Sequence, residues 1–354
     1  MTETNAQAPR ILVTRLSHIG DCVLTLPMVC AIKRAMPNAW ISWAIEAPAH
    51  KLLTDHPCVD QFIVVPKDWM KKPLQWARLG KQLRQLNIDI VLDPQSLNKS
   101  SLLGKKSKAP IRIGFDKPHG REFSKIYNTR FVKTQNTHLV DRTLDLLRHP
   151  QIGIESPEVK FRLPIQNEDL ETVEKWTRQN SLNQFFTINP GASWESKRWV
   201  PRRFGYVAKY VERAFGIRSV VTWSGDQERA MAEAAVEQSQ GCAILAPPTS
   251  LGELAALLRG SKSFIGCDTG PLHIAAAVET RCIGLYGPTL PNESGAYGEQ
   301  HIAVQRWHQS DRKRKKAKNL AMRDITVDDV CVAVDALMTE QQIGEHNTVE
   351  QHAA

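Results

Sequence analysis

The sequence lacks the cysteine pattern of a disulfide framework or of a metal site. Seven cysteines are spread over 354 residues, without paired spacing and without a Cys-x-x-Cys motif. An odd, unpaired set of this kind predicts reduced thiols in a cytoplasmic protein. Cysteine and histidine do not cluster at metal-ligand spacings either, so we predict no metal site.

Long apolar runs are also missing. None reaches the ~18 residues that cross a bilayer. The polar N-terminus MTETNAQAPR has no signal-peptide core, so export is not expected. Zinc-finger spacings, an RNP motif and leucine heptads are absent, which leaves a nucleic-acid-binding function unsupported. The hydrophobic content of 42% and the length instead indicate a globular protein of two domains.

Positive charge is what the chain has in excess. Its formal net charge of +9 favours an anionic partner: a phosphorylated substrate, an acidic membrane surface or a nucleic acid. The densest basic run is Arg312–Lys316, followed by Lys318. Such a run is either a solvated loop or, together with the stretch Trp69–Lys72, a docking site on acidic lipid.

Apolar segments typical of strands alternate with helical segments in both halves of the chain. This alternation predicts two α/β domains, each with a parallel sheet covered by helices. The predicted strands are ILVTRL, WISWAIEA, FIVVP, IDIVLDPQ, IRIGFD, FFTINP, SVVTWSG, SFIGCDTG and RCIGLYGPT. The predicted helices are Asp21–Met36, Leu74–Leu86, Arg202–Phe215, Asp226–Gln238, Leu251–Leu258, PLHIAAAV and Ile325–Met338. We expect Gly216 to end one helix and a capping box at Ser250 to begin another.

One strand end in the second half has a loop suited to an anion. Ligands of open parallel sheets collect at the carboxyl ends of strands, where helix N-termini direct their N–H groups outward. In NPGASWESKRW, small residues such as Ser193 let backbone amides approach an anion, and Lys197 adds a full positive charge. The loop is not a Walker A motif, and a plain surface turn is the alternative.

Two further strand ends carry polar groups suited to a nucleotide. The stretch CDTGPLHIAAA brings together Asp268, Thr269, Gly270 and His273. Its groups can bind diphosphate oxygens and sugar hydroxyls, or else Asp268 and Thr269 cap a helix in which His273 is merely buried. In SGDQER, Glu228 either binds ribose hydroxyls or complements a helix dipole. Three such strand ends together favour a nucleotide ligand more than any one of them does.

A carboxylate also follows the first strand, in RLSHIGDCVLTLP. Asp21 comes directly after a glycine. It is either the N-cap of the next helix or a functional carboxylate at a strand end. Pro27 should bend the first turns of that helix, because a proline removes a helical hydrogen bond.

Taken in order, these stretches resemble glycosyltransferase family 9, the ADP-heptose:lipopolysaccharide heptosyltransferases. The resemblance is carried by RILVTRLSHIGDCVLTLP, by DTGPLHIAAA with GLYGPTLP, and by LDPQSLNKSSLL, IRIGFD and HLVDRTLDLL between them. It extends from about Arg10 to Met338. After the alanines the chain has Val278–Arg281 where a Gly-x-Pro turn is expected, and this departure leaves the site residues untouched.

The resemblance implies a GT-B fold, in which two Rossmann-like domains face a cleft. The acceptor would bind to residues 9–165 and the nucleotide sugar to residues 166–340, with the last helix a candidate to pack back on the first domain. The implied reaction is inverting transfer of a heptose or related sugar from an ADP-sugar to an anionic lipopolysaccharide core or related glycan. It needs neither an obligatory metal nor a further cofactor.

The resemblance also assigns roles to individual residues. Asp21 matches the family's proposed catalytic base. The donor site would comprise Ser193 and Lys197 at the diphosphate, Glu228 at the ribose, and the loop residues Asp268, Thr269, Gly270 and His273. Lys99, Arg112 and Arg121 lie where the resemblance continues, and they either bind acidic groups of the acceptor or are ordinary surface charges.

Two other functions stay open at this point. A nucleotide-sugar epimerase also has two Rossmann-like domains and a cleft carboxylate, and it would alter its donor without an acceptor. A non-enzymatic polyanion-binding protein would bind nucleic acid in a salt-sensitive way and would not prefer ADP.

Overall fold

The computed structural model describes residues 8–121, 123–311 and 316–353, with side chains up to Gln341. Residues 312–315 of the basic run therefore lie outside the described residues. The chain divides into two units, Met1–Pro164 and Ile165–Ala354, which we call unit 1 and unit 2. None of the described helices has an apolar stretch long enough to cross a membrane.

Unit 1 is built on a six-stranded parallel sheet. Its strands are β1 (Arg10–Thr14), β2 (Trp40–Ile45), β3 (Gln61–Val64), β4 (Ile90–Asp93), β5 (Ile111–Phe115) and β6 (Arg130–Val132). Its helices are α1 (Ile19–Val23), α2 (Leu26–Ala35), α3 (Ala47–Leu53), α4 (Pro73–Gln85), α5 (Asn98–Lys106), α6 (Ser124–Tyr127) and α7 (Leu139–Asp145), with 3₁₀ helices at Trp69–Lys71 and Leu146–Arg148. The strand order is β3-β2-β1-β4-β5-β6, so the order reverses between β1 and β4.

Unit 2 has a second six-stranded parallel sheet. Its strands are β7 (Phe185–Asn189), β8 (Arg218–Val221), β9 (Ala243–Leu245), β10 (Ser263–Cys267), β11 (Cys282–Leu285) and β12 (Ile302–Val304). Its helices are α8 (Asn167–Gln179), α9 (Pro201–Phe215), α10 (Gly225–Ser239), α11 (Leu251–Gly260), α12 (Gly270–Ala277), α13 (Pro291–Ser294), α14 (Leu320–Asp324) and α15 (Val327–Ala353), with a 3₁₀ helix at Glu195–Lys197. The strand order is β12-β11-β10-β7-β8-β9, which reverses between β7 and β10.

The two sheets have the same topology. Numbered within its own unit, each has the order 3-2-1-4-5-6, which is that of a Rossmann fold. The central strands β1 and β7 are almost wholly buried, as expected for parallel strands covered by helices on both faces. The prediction of two Rossmann-like domains is confirmed.

The helix predicted after β1 is wrong in its extent. It is divided into α1 and α2, which are separated by Leu24 and Thr25. Pro27 is near the start of α2, where its missing N–H is not needed for a helical hydrogen bond, so it begins a helix instead of bending one. The N-cap position of α1 belongs to His18 and Asp21 lies in the first turn, so the alternative interpretation of Asp21 as an N-cap is wrong.

Three helix ends in unit 2 follow local rules. Gly216 ends α9 with a left-handed φ of 67°, and Ser250 begins α11 through a capping box with Glu253, both as predicted. Glu279 follows α12 with a φ of 67°. The N–H groups of Glu279 and Thr280 donate to Ala276 and Ala275, which is the Schellman pattern that glycine usually completes.

Candidate active site

Asp21 is held by a buried arginine at the end of β1. The Arg15 side chain is only 7% exposed, and its Nη2 lies 2.7 Å from Oδ2 of Asp21, whose side chain is 36% exposed. Nη1 of Arg15 donates to the carbonyl of Pro94 at 3.1 Å, and the Trp43 indole donates to the carbonyl of Arg15 at 3.0 Å. Both ends of the arginine are thus fixed, and the guanidinium orients a carboxylate that solvent can reach.

The loops that follow β1 and β4 are joined next to Asp21. The N–H of Leu16 donates to the side chain of Gln95 at 3.0 Å. The N–H of Arg121 donates to the carbonyl of Ser96 at 3.1 Å, which brings a third loop to the same place. Lys99 is exposed in the first turn of α5, directly after this loop. The structure therefore collects Asp21, Lys99 and Arg121 at the carboxyl edge of the unit 1 sheet.

Arg112 lies elsewhere. It is the second residue of β5, at the amino end of the strand, and so at the opposite edge of the sheet from Asp21. Its Nε donates to the carbonyl of Tyr127 at 2.7 Å and its Nη1 donates to that of Ala109, and partial burial lowers the pKa of the guanidinium. The structure does not bring Arg112 together with the other predicted acceptor residues.

In unit 2, Lys197 and Asp268 connect the loops that follow β7 and β10. Nζ of Lys197 lies 2.7 Å from Oδ2 of Asp268 and 3.0 Å from its carbonyl oxygen. His273, on α12, has its Nε2 3.4 Å from the other carboxylate oxygen. The Trp194 ring lies 4.6 Å from the Lys197 ammonium, which adds a cation–π contact. Three of the predicted donor residues therefore form one cluster at the switch point of the sheet.

The cluster keeps a buried charge. Only 3% of the Asp268 side chain is exposed. Burial alone would raise its pKa, but the hydrogen bond with His273 and the Lys197 ammonium outweigh burial and hold the pKa of this carboxyl well below its usual range. Nδ1 of His273 is buried and has no hydrogen-bond partner among the described residues. His273 is thus not the fully satisfied core imidazole of the alternative interpretation.

Thr269 and Gly270 begin α12. Thr269 occupies the N-cap position, but its hydroxyl donates to the carbonyl of Cys267 at 3.3 Å and makes no cap bond. The Asp268 side chain is directed at Lys197, so the expected side-chain capping by these two residues is wrong. Pro271 lies in the first turn, as the predicted helix PLHIAAAV requires, and the helix begins one residue earlier, at Gly270. An uncapped helix N-terminus next to a lysine is a favourable place for a phosphate.

Glu228 contacts the loop after β7 from the neighbouring strand end. It lies in the first turn of α10 and accepts the N–H of Ser224 at 3.1 Å. Its carboxyl lies so close to Gly191 that a Cβ at position 191 would collide with it. Burial raises the pKa of Glu228, against the opposing effects of the Ser224 N–H and the Arg198 charge. Ser193 is exposed in the same loop.

Sequence reasoning missed Arg15. The residue follows directly after the buried run of β1, and the only signal for it is a charged side chain at the end of an apolar strand. Such an arginine is almost never buried unless it is paired, so a carboxylate partner nearby could have been expected.

The comparisons with known proteins point to one family. The family model described as Glycosyltransferase family 9 (heptosyltransferase) matches residues 76–322. The lipopolysaccharide heptosyltransferase 1 of Pseudomonas aeruginosa is 28% identical over 304 residues, which are 83% of this chain and 82% of that protein. The protein of the same description from Salmonella typhimurium is 28% identical over 303 residues, 83% of this chain and 93% of its own.

Solved structures agree on the fold. A glycosyl transferase family 9 protein from Veillonella parvula has a TM-score of 0.78 and 25% identity, covering 94% of this chain and 97% of its own. The Escherichia coli heptosyltransferase WaaC, solved with ADP, has a TM-score of 0.74 at 21% identity, covering 93% and 99%. A putative UDP-N-acetylglucosamine 2-epimerase from Listeria monocytogenes has a TM-score of 0.55 at 12% identity, covering 94% and 88%. Fold alone therefore does not separate transferases from epimerases.

Proposed function

Because the chain belongs to glycosyltransferase family 9 and is a glycosyltransferase, we propose that it moves a heptose or related sugar from an ADP-sugar to an anionic lipopolysaccharide core or related glycan. The observation that carries this proposal is the convergence of three strand ends in unit 2. Lys197 joins the loop after β7 to Asp268 after β10, and Gly191 in the same loop contacts Glu228 after β8. A nucleoside diphosphate needs this combination of cation, backbone amides and ribose-binding carboxylate.

The donor would be bound as follows. The diphosphate lies between Lys197, the small residues near Ser193 and the first turn of α12 at Thr269 and Gly270. Glu228 accepts hydrogen bonds from ribose hydroxyls. Asp268 and His273 fix Lys197 and offer polar atoms to the sugar.

The proposed reaction is a single inverting displacement. Asp21, oriented by Arg15, removes the proton from an acceptor hydroxyl, and the oxygen attacks the anomeric carbon from the face opposite the diphosphate. The bond between the anomeric carbon and the diphosphate oxygen breaks, and ADP leaves with both bonding electrons. Lys197 and the α12 amides stabilise the charge that develops on it, so this step does not call on a metal.

Acceptor binding is proposed for Lys99 and Arg121, which lie at the same edge as Asp21. We leave Arg112 out of this site because its guanidinium holds two backbone carbonyls at the far end of β5. We also propose that the enzyme acts in the cytoplasm, in peripheral contact with the inner membrane where a glycolipid acceptor would reside.

The decisive experiment is product analysis with purified protein. We expect ADP release and a product heavier by one heptose when ADP-heptose and a heptose-deficient lipopolysaccharide core are both present, with inverted anomeric configuration by NMR. Thermal-shift measurements with ADP, UDP and GDP should show the largest stabilisation with ADP. A donor that is altered without any acceptor would instead identify an epimerase.

A further inference from the structure

The outer side of α4 carries an unusual excess of positive charge. From Lys67 to Arg84 the sequence has six basic residues and one acidic residue, Asp68. Four of the basic residues, together with a leucine, form a surface that we call the α4 face: Lys71, Lys72, Leu74, Arg78 and Lys81. All five side chains are exposed, and Leu74 is 71% exposed.

The sequence of α4 fixes which residues face outward. Leu79 and Leu83 are buried in the core of unit 1, and Trp76 stacks on the buried Trp69 with ring centroids 5.2 Å apart. Leu74, Arg78 and Lys81 follow one another at spacings of four and three residues, which places them on one side of a helix. That side is opposite the buried leucines, which pack in the core of unit 1.

In the isolated unit, the basic side chains of the α4 face lie in places where like charges repel them. Lys71 and Lys72 lie at the N-terminal end of α4, where the helix dipole is already positive. Arg78 and Lys81 are like charges three residues apart, and no carboxylate among the described residues pairs with any of the four basic side chains. Lys106 of the neighbouring α5 lies over the Trp76 ring of α4, and burial, followed by the charge of Arg84, lowers its pKa. An anionic partner would relieve this repulsion.

We propose that the α4 face docks on a bilayer that contains anionic phospholipid. Its basic side chains would lie at the headgroup phosphates, while Leu74 and the 41% exposed Met70 insert between the lipids. The exposed leucine argues for lipid and against a nucleic acid, since an apolar side chain gains nothing from a phosphate backbone. The inference rests on the membrane contact proposed above, for which it names the surface, and it does not depend on which sugar is transferred.

The test is co-sedimentation of the full chain with vesicles of phosphatidylglycerol and phosphatidylcholine. Arg78→Gln/Lys81→Gln should weaken binding about 25-fold, at about fivefold per basic residue. The control pair Arg202→Gln/Arg213→Gln removes two exposed charges from α9 of unit 2 and should change binding little. Vesicles of phosphatidylcholine alone should bind the wild-type chain weakly, because they lack net charge.

Leu74→Ser separates lipid from other polyanions. It should weaken vesicle binding about tenfold and leave binding to duplex DNA unchanged. Melting temperature and turnover on a short, lipid-free acceptor should be preserved in all three variants, because none removes a buried contact. The proposal is overturned if the α4 pair loses no more than the α9 pair, if Leu74→Ser binds vesicles like the wild type, or if turnover on the lipid-free acceptor falls.

Discussion

The two units have the same strand order, and each has an ion pair at its switch point, but the two ion pairs differ in burial. In unit 1 the buried Arg15 contacts the half-exposed Asp21 within one strand-end region, at 2.7 Å. In unit 2 the mostly buried Lys197, whose side chain is 14% exposed, contacts the 3% exposed Asp268 across two loops, also at 2.7 Å. The carboxylate is thus the more exposed partner of the ion pair in unit 1, and the cation is the more exposed partner in unit 2.

This difference matches two different tasks. A proton acceptor must be reached by its substrate, and the carboxylate of unit 1 is the one left accessible. A group that binds a leaving diphosphate must keep its position and its charge, and the buried carboxylate of unit 2 holds the lysine in place. Under the proposed function, strand ends of the same fold would supply a base in unit 1 and an anion site in unit 2.

The largest effect is expected at the accessible carboxylate. Asp21→Asn keeps the size of the side chain but removes the base, so kcat should fall about 10³-fold. ADP binding by thermal shift should be unchanged, because the residues proposed to bind the donor are in unit 2. Unchanged turnover would refute the assignment of Asp21 as the base.

Removing the cation in each unit sharpens the comparison. Lys197→Met removes the ammonium from the buried Asp268 and leaves it only the contact with His273, so it should lower the free energy of unfolding by about 3 kcal/mol, with loss of ADP binding. Arg15→Met leaves its carboxylate in contact with water and should cost about 1 kcal/mol. Urea denaturation measures both, and equal losses would show that burial does not distinguish the two pairs.

The acceptor residues test whether binding is divided between the units. Lys99→Gln/Arg121→Gln should raise KM for the acceptor about tenfold, because two charge-assisted contacts are lost. The affinity for ADP should not change. A loss of ADP binding in this double variant would show that these residues contribute to donor binding, against the proposed division.

Glu228 offers a pH test of the donor site. Because burial raises its pKa above the ordinary value of 4.5, the carboxylate becomes protonated at a higher pH than an exposed glutamate does. ADP affinity of the wild type should therefore weaken as the pH falls through the raised pKa of Glu228. Glu228→Gln should bind ADP about threefold more weakly at neutral pH, without this dependence. Calorimetric titrations at several pH values would compare the two, and parallel curves would exclude Glu228 from the site.

The smallest effect is expected away from both ion pairs. Glu279 has a left-handed φ after α12, so Glu279→Gly should raise the free energy of unfolding by about 1 kcal/mol. Turnover should stay the same, because the change lies at the far end of α12 from Asp268. Altered turnover would mean that this departure from the family pattern affects the site.

The sequence predicts the sheets better than it predicts the contacts. Buried parallel strands are continuous apolar runs, which are visible in any single segment. Lys197 and Asp268 are 71 residues apart, and only the folded sheet brings their strand ends together. The helix α8 was missed because its polar sequence leaves no residue fully buried, and only Val173 and Trp176 pack against the core.

The contact between Gly191 and Glu228 limits how this protein can diversify. A side chain added at 191 meets the carboxyl end of Glu228, so a substitution there requires the glutamate side chain to move or to be shortened. A library randomised at both codons should return larger residues at 191 more often alongside a shortened side chain at 228. Substitutions at positions 191 and 228 should therefore be coupled during evolution.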